Sequence, residues 1–148
     1  MTRYLTLTLA ASTWLAATPG CSDEQFVAAI YDSCRDLNDC VPSADRCEEL
    51  TIDFAGGAFS NNICTVTCET LGELSPDCPR AQVTARFGSC YPADAAGGDN
   101  STPVCFEPCD NDGDCLFGFK CLNDQDLCVP GQEPCAITPG DAICVPGP

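Results

Sequence analysis

The chain has 148 residues, among them 15 cysteines and no histidine, and it carries a formal net charge of −16 at pH 7. A cysteine share this high is typical of a disulfide scaffold in an oxidising compartment. The strong acidity argues against nucleic-acid binding, which needs a basic face, and the lack of histidine excludes Ser-His and Cys-His nucleophile systems. We therefore expect a protein that is not an enzyme and holds no cofactor.

Residues 1–20 have the composition of a signal peptide. Arg3 supplies a positive charge, and an apolar stretch follows from Leu5 to Ala17. Because a membrane-spanning helix needs about 20 apolar residues, this stretch is too short to cross a bilayer and has the size of a signal-peptide core. The sequence therefore predicts that residues 1–20 direct export and are then removed.

The end of this leader resembles the cleavage site of bacterial lipoproteins, in which a small residue precedes a cysteine that receives diacylglycerol. Gly20 and Cys21 carry the match. The resemblance implies a lipid anchor on Cys21 and, because Ser22 follows, a place in the outer membrane or at the cell surface. The alternative is ordinary cleavage near Ala17 or Gly20, which would give a secreted chain with an odd number of cysteines.

The segment 21–33 is predicted to join the lipid anchor to a short helix over about 23–33. Ser22 and Gln25 have the spacing of a capping box, which satisfies free backbone amides at a helix start. Phe26 and Ile30 lie four residues apart and would share one face of that helix.

The remaining cysteines fall into sets of four. The sets are Cys34, Cys40, Cys47 and Cys64; Cys68, Cys78, Cys90 and Cys105; and Cys109, Cys115, Cys121 and Cys128, with Cys135 and Cys144 left as a final pair. An aspartate precedes the second cysteine of each set. The sequence therefore predicts cysteine modules over 34–64, 68–105 and 109–128, and a Pro/Gly-rich tail over 129–148 with one disulfide.

The third set, CDNDGDCLFGFKCLNDQDLC, resembles the repeats of predicted bacterial cysteine-rich lipoproteins. Those repeats are similar to the Dickkopf amino-terminal region and, loosely, to EGF-like modules. The match is carried by Cys109, Asp112, Asp114, Cys115, Gly118 and Cys121. The resemblance implies export and a small disulfide-rich fold, but it transfers no activity, because function lies in sites rather than in folds.

We expect a small disulfide-rich fold of tandem four-cysteine modules, with short β-hairpins, one short N-terminal helix and little regular structure. Each module is too small to fold without cross-links. Four cysteines allow three pairings, and by analogy with interlocked small modules we favour first-to-third and second-to-fourth. Hairpins are predicted around 64–68 and 116–129, and surface loops over 48–63, over 91–104 and from 130 onward.

The acidic run 110–114 is the candidate metal site. Its alternating carboxylates, Asp110, Asp112 and Asp114, surround a glycine, and calcium takes roughly 6–8 oxygen ligands. The run lacks the spacing of an EF-hand loop. The other interpretation is an acidic turn between two cysteines.

The leading functional hypothesis is a surface lipoprotein that acts as an interaction or envelope-structural module. It would contact the membrane through the lipid on Cys21 and bind a protein or envelope partner, but no nucleic acid. The first alternative is a secreted disulfide-rich inhibitor or ligand, and the second is a calcium-dependent envelope module. Phe54 and Phe59 lie on a predicted loop and either bind a partner or fold back over a disulfide.

Overall fold

The computed structural model describes residues 28–54, 56–128 and 136–148. Its strands form three antiparallel hairpins: β1 (Arg46–Phe54) with β2 (Gly57–Thr65), β3 (Ser89–Pro92) with β4 (Pro103–Phe106), and β5 (Phe119–Asn123) with β6 (Ala142–Pro146). Helical structure in these ranges is limited to α1 (Asp124–Leu127) and 3-10 turns at Leu37–Asp39, Ala93–Ala96 and Asp112–Asp114. The prediction of a small disulfide-rich fold with short hairpins and little regular structure is confirmed.

Six disulfides join cysteines within the described ranges. They are Cys34–Cys47, Cys40–Cys64, Cys68–Cys90, Cys78–Cys105, Cys109–Cys121 and Cys115–Cys144. The expected first-to-third pairing occurs in all three sets, and the expected second-to-fourth pairing occurs in the first two.

The third set departs from the expected pairing. Cys115 bonds to Cys144, so the predicted bond from Cys115 to Cys128 and the predicted pair of Cys135 with Cys144 are both wrong. Cys128 is itself disulfide-bonded, and Cys135 lies outside the described residues. The pairing predicted from the spacing is wrong because Cys115 lies next to Cys144 in space, although Cys128 is closer along the chain.

The register of the paired strands explains why Cys144 takes the place of Cys128 in the third set. In each hairpin the third cysteine of a set lies directly opposite the cysteine that closes the second disulfide. These opposed pairs are Cys47 and Cys64, Cys90 and Cys105, and Cys121 and Cys144. Because the side chains of opposed residues lie on the same side of a hairpin, the two disulfides of a set are brought together there.

The predicted loop over 48–63 is in fact most of the longest hairpin. Its register runs from Arg46 opposite Thr65 to Phe54 opposite Gly57. The period-two alternation of Leu50, Ile52 and Phe54 with polar residues is a strand signal. The hairpin expected around 64–68 is wrong, because β2 ends at Thr65.

Two further predicted elements are replaced by long-range pairing. The hairpin expected over 116–129 does not form, since β5 pairs instead with β6, which lies in the predicted tail loop. The tail residues Ile143 and Val145 are fully buried, so this strand is held by core contacts. The predicted loop over 91–104 begins in β3 and ends in β4.

The predicted helix over 23–33 is wrong in its described part, while residues 23–27 lie outside the described ranges. From residue 28 onward the chain makes isolated strand bridges, with Ala28 to Cys40 and with Ser33 to Ile63. Tyr31 has a φ of 72°, which a right-handed helix does not allow. Pairing with the first hairpin therefore overrides the local helix signal.

The three hairpins share one hydrophobic core. Its buried members include Leu50 and Ile63 from the first hairpin, Tyr91, Val104 and Phe106 from the second, and Phe119, Leu122, Ile143 and Val145 from the third. Units this small bury too little surface to fold alone, and a common core lets each hairpin cover the others. The hairpins are therefore parts of one packed structure.

Candidate functional site

The aspartate that precedes the second cysteine of each set has a structural role. Its carboxylate accepts a hydrogen bond from the backbone amide of the residue that follows the first cysteine. The bonds run from Arg35 N to Asp39 at 3.1 Å, from Glu69 N to Asp77 at 3.2 Å and from Asp110 N to Asp114 at 2.7 Å. Each aspartate thereby closes the loop between two cysteines, which explains why this residue recurs in the sequence.

Hydrogen bonding to the charged form lowers the pKa of two of these carboxyls. The Arg35 side chain is the main cause at Asp39, and the Thr70 amide is the main cause at Asp77. Both carboxylates are thus held in their ionised, hydrogen-bond-accepting form.

The three candidate calcium ligands face different partners. Asp110 forms an ion pair with Arg86 at 3.1 Å, Asp112 Oδ1 accepts from the Cys121 amide at 3.0 Å, and Asp114 closes its own loop. Within the described ranges, no three carboxylates bring their oxygens within 4.8 Å of one another. The run therefore forms an acidic turn whose carboxylates do not converge, so calcium binding there would require the turn to rearrange.

Sulfur atoms do converge, at three places. The groups are Cys34, Cys40 and Cys47; Cys68, Cys78 and Cys105; and Cys109, Cys115 and Cys144, with sulfurs within 4.8 Å of one another. All of these sulfurs belong to disulfides, whereas a metal is bound by the thiolate form of cysteine. We therefore assign the clusters to pairs of adjacent disulfides.

A buried carboxyl that the sequence did not reveal joins the second hairpin to the third. Asp141 is 5% exposed and accepts a hydrogen bond from the hydroxyl of Tyr91, which is 1% exposed. Burial raises the pKa of Asp141 above its ordinary value, and it raises the pKa of Tyr91 to about 12. An aspartate in a loop carries no local signal of burial, so only the packing identifies this pair.

A second buried carboxyl belongs to Glu107, which is 3% exposed and lies between β4 and Cys109. Burial is the main cause that raises its pKa to about 7. Its Oε1 atom has no hydrogen-bond partner in the structure. Because buried polar atoms are nearly always paired, this oxygen is an exception that only Ser89 Oγ shares among the described residues.

An acidic groove of about 530 Å³ runs between the first and third hairpins. Its lining includes the carboxylates Asp53, Asp112 and Asp126, together with Lys120 and Phe54. The Lys120 ammonium lies 5.9 Å from the centre of the Phe54 ring, a distance typical of a cation–π contact. The groove is thus suited to basic groups, since its lining carries three carboxylates and one ammonium.

The two phenylalanines of the first hairpin turn pack against each other. The ring centres of Phe54 and Phe59 are 5.5 Å apart in an edge-to-face arrangement, and Phe54 also packs on the shared core. Phe54 therefore lies against the core and Phe59 lies against Phe54, while the expectation that the rings cover a disulfide stays a prediction.

A different aromatic residue is free in solvent. Phe117 is fully exposed on the turn that precedes β5. The turn is closed by a hydrogen bond of 3.0 Å from Phe119 N to Leu116 O, and Gly118 supplies the positive φ of 86° at the position after Phe117. The Gly147 amide donates to Gly118 O at 3.2 Å, which ties the turn to the residue after β6.

The predicted lipidation residue Cys21 lies outside the described residues, as does the leader. Among the residues that the structure describes, no helix has the length and apolar character needed to cross a membrane. No protein-family model, curated protein or solved structure matches the chain. The function must therefore be inferred from the residues of this chain.

Proposed function

We propose that this chain is an exported, lipid-anchored protein without enzymatic activity that acts as an interaction or envelope-structural module. The observation that carries the proposal is that every described cysteine lies in a disulfide. Cross-linking on this scale requires an oxidising compartment outside the cytosol. The lipid on Cys21 then holds the folded hairpins at the outer membrane or cell surface.

The use of the carboxylates supports a role without catalysis. A general acid or base must reach a substrate proton from a cleft. Asp39, Asp77 and Asp114 instead bind backbone amides, and Asp141 is covered by Tyr91. These four carboxyl groups therefore stabilise the fold.

We infer that the chain contains three tandem four-cysteine modules, with Cys144 in place of Cys128 as the fourth cysteine of the third module. A shared hydrogen bond supports this organisation. In each set the amide of the first cysteine donates to the carbonyl two residues before the fourth. The bonds run from Cys34 N to Asn62 O at 3.0 Å, from Cys68 N to Pro103 O at 3.2 Å and from Cys109 N to Ala142 O at 3.2 Å.

The Phe117 turn and the acidic groove are the surface best suited to a partner. An exposed aromatic residue on a hydrogen-bonded turn offers a large apolar surface that a partner can bury, and aromatic residues are frequent binding hot spots. The groove beside β5 adds carboxylates that attract cationic side chains. The partner that fits is a protein with an apolar pocket bordered by lysine or arginine.

The first test is the intact mass of the native protein, extracted from membranes and alkylated without reduction. The lipoprotein proposal predicts a chain that begins at an acylated Cys21 and takes up no alkylating reagent. A chain without lipid that carries one alkylated thiol would instead support the secreted inhibitor or ligand, for which the exposed Phe117 is the natural contact.

The second test addresses the surface itself. A photo-crosslinking amino acid placed at position 117 on intact cells should give one discrete cross-linked product. The matched control is the same amino acid at Leu71, another exposed apolar position, which is 59% exposed. Equal products from both positions would mean that Phe117 does not mark the interaction surface.

A further inference from the structure

The two disulfides of the third set lie close enough for one to react with the other. The sulfurs of Cys109, Cys115 and Cys144 are all within 4.8 Å of one another. Cys109 is bonded to Cys121, and the other two are bonded to each other. A thiolate formed at Cys109 would therefore have both sulfurs of the neighbouring disulfide within 4.8 Å.

The Cys109–Cys121 disulfide is also open to small molecules. Cys121 is half-buried and lines the acidic groove. Both cysteines line a second cavity of about 320 Å³, beside Asp110 and Asn123. Because Cys109 is only 4% exposed, an incoming thiol meets the Cys121 sulfur first.

The second set has the same arrangement of sulfurs without this access. Cys68 lies within 4.8 Å of both sulfurs of the Cys78–Cys105 disulfide. It is 7% exposed, and its partner Cys90 is 0% exposed. The second set is therefore a control within the same chain, in which the neighbouring disulfide is in place and access is removed.

The first set has the access, but its neighbouring disulfide is less favourably placed. Cys47 is half-buried and lines a surface cavity, so a thiol can reach it. Its partner Cys34 belongs to a group of converging sulfurs that contains Cys40 without Cys64. A thiolate at Cys34 is thus grouped with one sulfur of the neighbouring disulfide, whereas Cys109 is grouped with both.

We propose that the third set is a thiol–disulfide exchange site, which takes up a positively charged thiol on Cys121 and transfers the free thiol to Cys115. In the first step the external thiolate bonds to the Cys121 sulfur, and Cys109 leaves with the electron pair. In the second step the Cys109 thiolate bonds to the Cys144 sulfur, and Cys115 leaves as the thiolate. One disulfide forms for each that breaks, and Cys115 takes up the proton that the external thiol released, so no other oxidant or reductant is needed.

Exposure sets the direction of the second step. Cys115 is half-buried, whereas Cys144 is 5% exposed. Because burial disfavours the charged form, the thiolate leaves more readily at Cys115. The segment that carries Cys109 already lies beside β6, since its amide donates to Ala142 O at 3.2 Å. The exchange therefore joins two segments that are already paired, and it places the free thiol two residues before Phe117.

The groove selects the charge of the thiol. Beside Cys121 its lining carries Asp53, Asp112 and Asp126, with one ammonium on Lys120. These carboxylates attract a thiol that carries an ammonium group and repel one that carries a carboxylate. The inference goes beyond the proposed function, because the exchange needs neither the lipid nor a protein partner.

The test is to incubate the native, unreduced chain with cysteamine, alkylate the free thiols and map every cysteine by mass spectrometry. The expected product carries cysteamine on Cys121 and the alkyl group on Cys115. At equal thiolate concentration, 3-mercaptopropionate should react at Cys121 more slowly by on the order of 10-fold. Cys68 and Cys90 should stay unmodified over the same time.

Three results would overturn the exchange site. They are modification of Cys90 as fast as Cys121, equal rates for the two thiols, and an alkyl group that stays on Cys109. A Cys115→Ser/Cys144→Ser chain, which lacks the acceptor disulfide, should keep the alkyl group on Cys109. If that chain does not fold, the position of the alkyl group in the wild-type chain decides the second step.

Discussion

The first and third hairpins use the same disulfide arrangement with very different connections. β1 ends at Phe54 and β2 begins at Gly57, whereas β5 ends at Asn123 and β6 begins only at Ala142. The free energy needed to close a loop grows slowly with its length, so a long insertion is tolerated where the strands still pair. The comparison teaches that strand register defines the cysteine set, while the length of the connection does not.

The largest expected effect comes from removing the second disulfide of either hairpin. Cys115→Ser/Cys144→Ser and Cys40→Ser/Cys64→Ser should each lose about 2–5 kcal/mol of unfolding free energy, measured by chemical denaturation. The losses should be similar, because the bonds close segments of comparable length, with sequence separations of 29 and 24. Peptide mapping of the unreduced protein that found Cys115 bonded to Cys128 would contradict the assigned register.

The next prediction compares the core residues of the two hairpins. Ile143→Ala and Leu50→Ala each empty a fully buried position in the shared core and should cost about 2–5 kcal/mol in unfolding free energy. The matched control is Val83→Ala, at an apolar residue that is 46% exposed, which should change stability by no more than about 0.5 kcal/mol. A mild Ile143→Ala beside a severe Leu50→Ala would mean that the tail strand is not part of the core.

A smaller effect concerns the pH dependence of stability, which should differ between Asp141, beside the third hairpin, and Asp39, in the first cysteine set. Burial raises the pKa of Asp141, so its contribution to stability is present at low pH and is lost as the pH rises above about 4. Hydrogen bonding to Arg35 lowers the pKa of Asp39, so its contribution is present near neutral pH and is lost as the pH falls below about 4. Melting temperatures measured across this range should therefore show opposite differences from wild type for Asp141→Asn and Asp39→Asn.

Each of these variants removes one carboxyl and keeps its size, so the pH dependence left in the variant comes from the rest of the chain. If the melting temperatures of both variants differed from wild type in the same direction, the opposite pKa shifts assigned to Asp141 and Asp39 would be wrong.

The smallest expected effect concerns calcium. Because Asp110, Asp112 and Asp114 face separate partners, millimolar calcium should leave the melting temperature unchanged. A calcium-dependent rise that disappears in Asp112→Asn would show that the acidic turn rearranges to bind the ion. The same measurement would then favour the calcium-dependent envelope module.

The sequence is informative where the same interaction recurs between residues that are close along the chain. The aspartate before each second cysteine is visible in the sequence, and its hydrogen bond spans only a few residues. The alternation of Leu50, Ile52 and Phe54 was equally visible, but the glycines and polar residues around it favoured a loop. In the structure this strand signal outweighs the glycines of the turn.

Other features had no local signal. The burial of Asp141 and Glu107 depends on elements that approach from distant parts of the chain. The helix expected over 23–33 failed over its described part for a related reason, because strand bridges to the first hairpin replaced the helical hydrogen bonds there.

The sequence by itself determined the class of this protein, since the number and spacing of the cysteines require disulfides and leave little room for regular structure. Within the first two sets the sequence left three pairings open, and the structure shows the one that was favoured by analogy. Only the tertiary structure decided that Cys144 completes the third set and that the hairpins share one core. The reason is physical: disulfides and buried contacts form between residues that are close in space, and the paired strands bring together residues that the sequence holds far apart.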